Sequence, residues 1–227
     1  MRHPLELIFP PEIGLQLIYS FVIILCSLMI YYSTKEIYEL SSYKGLKYFR
    51  RSFLFFAIAY FFRYFIAFFL FLLNIKEIID LSPGYIFGVS MFLFLYFSSM
   101  GIFYLVYSVM WKTWNHSKTK IFLFNVLALI IAFIGTIFGG PAVSLILNVV
   151  LLIFLAAMLL AAYKDHKSKQ KGKSLFVIYL LLSLFWVLNM VDVMLPSFLQ
   201  LYQILMYLIS ISIFMAILSK VLKKSGS

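Results

Sequence analysis

The chain has 227 residues, of which 64% are hydrophobic and only 12% charged, yet its net charge is +11. Globular chains average roughly 45–50% apolar and about 25% charged residues, so a soluble domain of this length could not bury so much apolar surface. Composition predicts an all-α integral membrane protein in a single transmembrane domain, and the lone cysteine, Cys26, excludes an intramolecular disulfide.

A spanning helix needs about 20 mostly apolar residues. Seven segments qualify. The first, Ile13–Ser33, follows MRHPLELIFPPE; it is too long for the apolar region of a cleavable signal and ends without a small-x-small site. It carries Gln16, Ser20 and Ser27 at helical spacing. The second, Phe53–Leu73, contains AYFFRYFIAFF, in which Tyr60, Arg63, Tyr64 and Ala67 share a face. The third, Tyr85–Trp111, carries Ser90 near one end and SSMG, Ser98–Gly101, a small-residue run that predicts close helix packing. The fourth, Ile121–Phe138, is the shortest, and a Gly-Gly pair separates it from the fifth, Pro141–Tyr163, which carries Ser144 and Asn148. The sixth, Leu175–Leu195, carries Asn189 and Asp192, and the seventh, Ser197–Leu218, carries Gln200, Gln203, Tyr207 and Ser210.

The charges orient the chain. Sixteen of the 19 lysines and arginines fall in the connections after spans one, three and five and in the tail after span seven. Arg2 and Lys76 fall on the opposite side. Positive charge marks the cytoplasmic side, so the N-terminus is expected outside and the C-terminus inside, in the cell membrane. Trp111 and Trp114 fit the inner aromatic belt. A basic inner face attracts anionic lipids, and this asymmetry accounts for the net charge without nucleic acid.

Depth then follows from topology. Gln16, Ser20, Ser90, Ser144, Asn148, Asn189, Asp192, Gln200 and Gln203 fall in the outer half, while Arg63, the eleventh of 21 residues in its span, falls near the midplane. The expectation is an outward-facing polar hollow with Arg63 at its floor. A charge at the bilayer centre costs about 2.5–3.5 kcal/mol on insertion scales, and a guanidinium cannot shed its proton. Three kinds of partner are open to it. One is Asp192, or Asn189 one turn deeper. Another is a cage of hydroxyls, carbonyls and ring faces, with Tyr60 and Tyr64 nearest in sequence. The third is a carboxylate or phosphate on a ligand, held by a bidentate fork. The candidate ligand-binding residues are therefore Arg63, Tyr60, Tyr64, Asn148, Asn189, Asp192, Gln203, Tyr207 and Gln16. Against this stand two structural readings. Arg63 would fix helix two against helix six, and Asn148, Gln203 and Tyr207 would each bond across helices.

Several activities lose their equipment. No lysine lies inside a span to form a retinal Schiff base. His3, His116 and His166 all lie in tails or loops, and neither HExxH nor GxSxG occurs. No buried acidic relay is evident. The reading is of a non-enzymatic protein with no cofactor and no metal.

Spans one and five both open with proline, in PPEIGLQLIYS and GGPAVSLILNVV. Each leads through a basic connection into RSFLFF or KSLFVI and then into AYFFRYF or SLFWVLN. This pattern is similar to the parallel three-plus-one-plus-three plan of SWEET sugar carriers and the KDEL-receptor group, without that group's paired Pro-Gln motifs. The resemblance implies a small-solute transporter. The seven-helix plan with its N-terminus outside is also similar to the membrane sensor modules of histidine kinases. The stretch TKEIYELSSYKGLKYFRRSFLFFAIAYFFRYF resembles segments of uncharacterised archaeal seven-helix proteins. The sensor resemblance implies a receptor that binds a small ligand, on which an anionic group would meet Arg63, and signals to a cytoplasmic or membrane protein partner. A structural subunit of a membrane complex is the remaining alternative.

Overall fold

The computed structural model describes residues 11–66, 68, 83–111, 114, 118–168, 173–194 and 200–225. Among them the chain forms seven long helices: α1 Pro11–Ser41, α2 Lys44–Tyr60, α3 Pro83–Met110, α4 Lys118–Ile137, α5 Pro141–Ser168, α6 Lys173–Met194 and α7 Gln200–Ser225. Helix α2 runs on into a π-helical segment, Phe61–Ile66. Helices α1, α3 and α5 each begin on a proline, the residue whose missing N–H costs nothing at a first helical position.

Among the described residues five helices are long and apolar enough to cross a membrane: Gly14–Ser41, Gly88–Met110, Thr119–Ile137, Ala142–Lys164 and Leu201–Lys223. Helix α6 adds a shorter apolar stretch, Leu175–Val191. Large apolar side chains point away from the bundle all round it. Examples are Phe21, Leu25 and Met29 on α1, Ile130, Phe133 and Ile137 on α4, and Leu205, Leu208 and Met215 on α7. A contiguous belt of this kind is what a lipid environment requires and what a soluble monomer avoids. The protein is a helical membrane bundle.

The helices are longer than the apolar segments read from sequence. Helix α1 does not stop at Ser33 but continues through Lys35, Glu36 and Glu39, and α2 starts at Lys44, so Lys47, Arg50 and Arg51 are helical rather than looped. Charged residues are good helix formers, and nothing before Ser42 breaks the helix. The connection is two residues long. Ser42 takes a left-handed conformation (φ 50°) and its N–H donates to the Tyr38 carbonyl at 2.8 Å. Glycine reaches that conformation without the Cβ penalty. Ser42→Gly is therefore expected to stabilise the bundle by about 0.5–1 kcal/mol, read as a higher melting temperature in detergent. An unchanged or lower melting temperature would mean that this turn is not left-handed in solution.

Around the bundle the helices follow in the order α1, α2, α3, α5, α6, α7 and back to α1, with α4 packed against α3 and α5. Aromatic rings fill the centre, where α2 faces α6 and α7. Phe49 meets Tyr179 edge-on at 5.9 Å, Phe53 meets Phe214 at 6.4 Å, and Phe185 meets Phe214 at 4.5 Å. Phe103 of α3 stacks on Phe124 of α4 and meets Phe154 of α5 edge-on. The Ser98–Gly101 run is buried as its small residues predict; a Cβ on Gly101 would lie 2.7 Å from the Phe56 ring.

Candidate functional site

The π segment is the first element of the site. A π turn is rare within an α-helix and recurs at functional positions. It leaves a main-chain carbonyl without its usual partner, and here the Ser90 hydroxyl of α3 donates to the Phe62 carbonyl. Ser90 was expected as lining of a hollow; instead it secures an irregular backbone. Arg63 is the next residue along. Its guanidinium carbon lies 5.0 Å from the Tyr64 ring centroid and 4.7 Å from that of Phe94 on α3. A desolvated cation–π contact contributes about 2 kcal/mol, so two ring faces approach the cost of about 2.5–3.5 kcal/mol for an arginine at depth. The aromatic part of the expected cage is present.

Arg63 lines a cavity of about 130 Å³ between α2, α3, α4, α5 and α6. Its wall includes Phe56, Tyr60 and Arg63 from α2, Phe94 and Ser98 from α3, Ser144 and Asn148 from α5, and Trp186 and Asn189 from α6. Four sequence candidates, Arg63, Tyr60, Asn148 and Asn189, are thus brought to one space. Along α2 the lining runs Phe56, Tyr60, Arg63, so Arg63 is the α2 contributor farthest from Lys44, roughly 28 Å along the helix at about 1.5 Å per residue.

A hydrogen-bonded cluster adjoins the cavity. The Tyr60 hydroxyl donates to Asn189 Oδ1 at 2.9 Å, and the Tyr19 hydroxyl donates to the same oxygen at 3.4 Å. The two hydroxyls are 3.3 Å apart, and Asn189 Nδ2 donates to the Phe185 carbonyl at 2.9 Å. Tyr207 of α7 stacks on Tyr19, with centroids 4.6 Å apart. One asparagine thereby ties α6 to α1 and α2, while the ring stack brings in α7.

The remaining candidates separate from this group. Tyr64 stacks on Tyr60 and faces Arg63 without lining the cavity. Gln16 on α1 and Gln203 on α7 are half-buried and do not line it. Asn148 donates to the Ser144 carbonyl of its own helix at 2.8 Å, so this bond is not the interhelical one expected of it. Ser20, expected in the polar hollow, is fully buried and bonded to the Leu17 carbonyl. The side chains of Asp192 and Gln200 lie outside the described residues.

Sequence reasoning missed three participants. Tyr19 carried no signal of its own among 16 tyrosines, although it sits beside Ser20 on α1. Phe94 carried no signal within an apolar helix. Trp186 is buried, lines the cavity, and has no hydrogen-bond partner for its indole nitrogen among the described residues. Its position one turn before Asn189, on the same helix face, could have marked it.

No protein-family model matches the chain. No solved structure matches it. A protein of Archaeoglobus fulgidus, described only as uncharacterised, is 30% identical over 218 residues, covering 93% of this chain and 93% of that one. Identity at this level along nearly the full length of both chains means a shared helical fold, and the chain belongs to the family of this archaeal protein.

Proposed function

We propose that the protein is a non-enzymatic, receptor- or sensor-like membrane protein of seven spans in one domain, N-terminus outside and C-terminus inside. It takes a small anionic ligand in the cavity lined by Arg63. The observation that carries this reading is the meeting of Arg63, Tyr60, Asn148 and Asn189, from three helices, at one cavity walled by aromatic rings. A volume of about 130 Å³ equals that of about four waters at about 30 Å³ each. The ligand is accordingly a compact carboxylate or phosphate. Its binding against the π segment would bias the α2–α3 packing. The lysine-rich helix ends would then pass the change to a protein partner at the inner face of the cell membrane.

A transporter is the second reading, and the helix order is compatible with it. Exchanging α1, α2 and α3 with α5, α6 and α7 maps the circuit onto itself, with α4 as the connecting helix. The two readings share the ligand site and differ in whether the solute crosses. A structural subunit would have no ligand, with Arg63 held by its neighbours within the bundle.

The test compares wild type with Arg63→Gln in detergent against a panel of small carboxylates, inorganic phosphate and neutral analogues. A ligand at a hundredfold excess over Kd stabilises the folded state by about 2.7 kcal/mol. We expect at least one anion to raise the wild-type melting temperature and not that of Arg63→Gln. If no anion shifts the wild type, and Arg63→Gln melts far lower, the arginine is structural and the receptor and transporter readings both fall. Uptake of the stabilising anion into proteoliposomes separates those two.

A further inference from the structure

At the lysine-rich end of the bundle a second cavity, of about 240 Å³, opens between α1, α2, α6 and α7. Its wall is almost wholly apolar and includes Ile37, Leu46, Phe49, Leu175, Ile178 and Val221. The few polar side chains on it are already engaged. Thr34 donates to the Ile30 carbonyl at 2.7 Å, Tyr179 shares a bond with Ser108 at 3.0 Å, and Ser41 accepts from the Tyr43 N–H. A water needs two to four free polar partners to settle in such a space, and apolar cavities stay dry. Hydrocarbon is the natural filling, and the bilayer at that depth supplies it. The space equals about eight groups of water size at about 30 Å³ each, enough for a segment of one lipid chain.

The rim selects the head group. The walls from α1, α2 and α7 each carry a lysine within two residues of a lining side chain. Lys35 lies beside Thr34, Lys44 and Lys47 flank Gly45 and Leu46, and Lys220 precedes Val221. Lys35, Lys44 and Lys220 are exposed and Lys47 is half-buried. Arg50, next to lining residue Phe49, is fixed over the Tyr31 ring at 4.5 Å and donates to the Tyr31 carbonyl at 3.1 Å. Glu36 and Glu39 on α1 offset part of this charge, and Lys35 pairs with Glu39 at 3.8 Å.

We propose that this cavity is a specific site for an anionic membrane lipid, one hydrocarbon chain lying between α1, α2, α6 and α7 and the head group on Lys44, Lys47 and Lys220. The site depends on the protein being a membrane bundle and not on the anion cavity at Arg63.

The test measures lipid retained by the purified protein, by native mass spectrometry, after equilibration in detergent with phosphatidylglycerol or phosphatidylcholine. Wild type is expected to retain phosphatidylglycerol in preference to phosphatidylcholine, with each rim lysine contributing about fivefold. Leu175→Trp and Ile37→Trp fill the cavity from opposite walls at half-buried positions, and each is expected to lose the bound phosphatidylglycerol. Lys44→Gln with Lys47→Gln and Lys220→Gln is expected to lose the preference between the two lipids. If both filling variants elute as folded monodisperse protein and still retain phosphatidylglycerol, the lipid binds elsewhere and the proposal fails. It fails equally if wild type retains neither lipid, or retains both alike.

Discussion

Replacing Gly45 with alanine is expected to destabilise the bundle by about 2–3 kcal/mol, the cost of forcing a methyl group into filled space. A Cβ there would lie 2.6 Å from a ring carbon of Tyr43, 2.7 Å from Trp111 Nε1 and 2.8 Å from the Ser108 carbonyl oxygen. The last of these is main chain on α3, so relief requires α2 and α3 to separate where α2 begins. Alanine's better helix propensity recovers at most about 1 kcal/mol, and so the clash decides the sign. Gly14 supplies the control, because nothing lies within 4 Å of a Cβ built on it. Thermal melts in detergent should therefore place Gly45→Ala below wild type and Gly14→Ala level with it or above. A Gly45→Ala protein that melts with wild type would mean that α2 and α3 do not approach this closely.

The membrane class and the helical segments were legible because hydrophobicity decides them and the sequence displays it directly. Arg63 was legible for the opposite reason, as a permanent charge among rings, and Tyr60, Asn148 and Asn189 followed from spacing. Helix ends were less legible. Apolar length marks where a segment fits a bilayer, but α1 runs on through Lys35 and Glu39 because the backbone has no reason to stop before Ser42. The same extension occurs at the start of α2, which opens at Lys44 rather than at Phe53. The π segment was not legible at all. Its backbone is secured by a hydroxyl from α3, and no local pattern in FFRYFI encodes Ser90's reach. Tyr19 was hidden by abundance: one of 16 tyrosines has no distinguishing composition until its neighbours across the bundle are known.

Asn189→Leu should be among the most damaging changes in the centre of the protein, although the branched shape of the side chain is kept. The substitution removes the oxygen that accepts from both Tyr60 and Tyr19, whose side chains are only 4% and 2% exposed. The two hydroxyls, 3.3 Å apart, can still pair with each other, but the second donor loses the amide oxygen and is left with only the Ser210 hydroxyl beside Tyr19. That costs about 1–3 kcal/mol, and the lost tie of α6 to α1 and α2 adds about 0.6–1.7 kcal/mol on the scale of membrane hydrogen bonds. Tyr60→Phe alone removes the 2.9 Å bond but leaves Tyr19 able to reach Asn189, and is expected to cost less than Asn189→Leu. The decisive comparison is the triple variant Asn189→Leu, Tyr19→Phe, Tyr60→Phe. Removing donors together with their acceptor leaves no unsatisfied group, so the triple should recover much of the stability lost in Asn189→Leu. Such a reversal cannot come from lost packing, because each added change removes a further polar atom and restores no contact. Equal or additive losses across the series would show instead that Asn189 acts through its shape, and the cluster would cease to be the polar wall on which the neighbouring cavity depends.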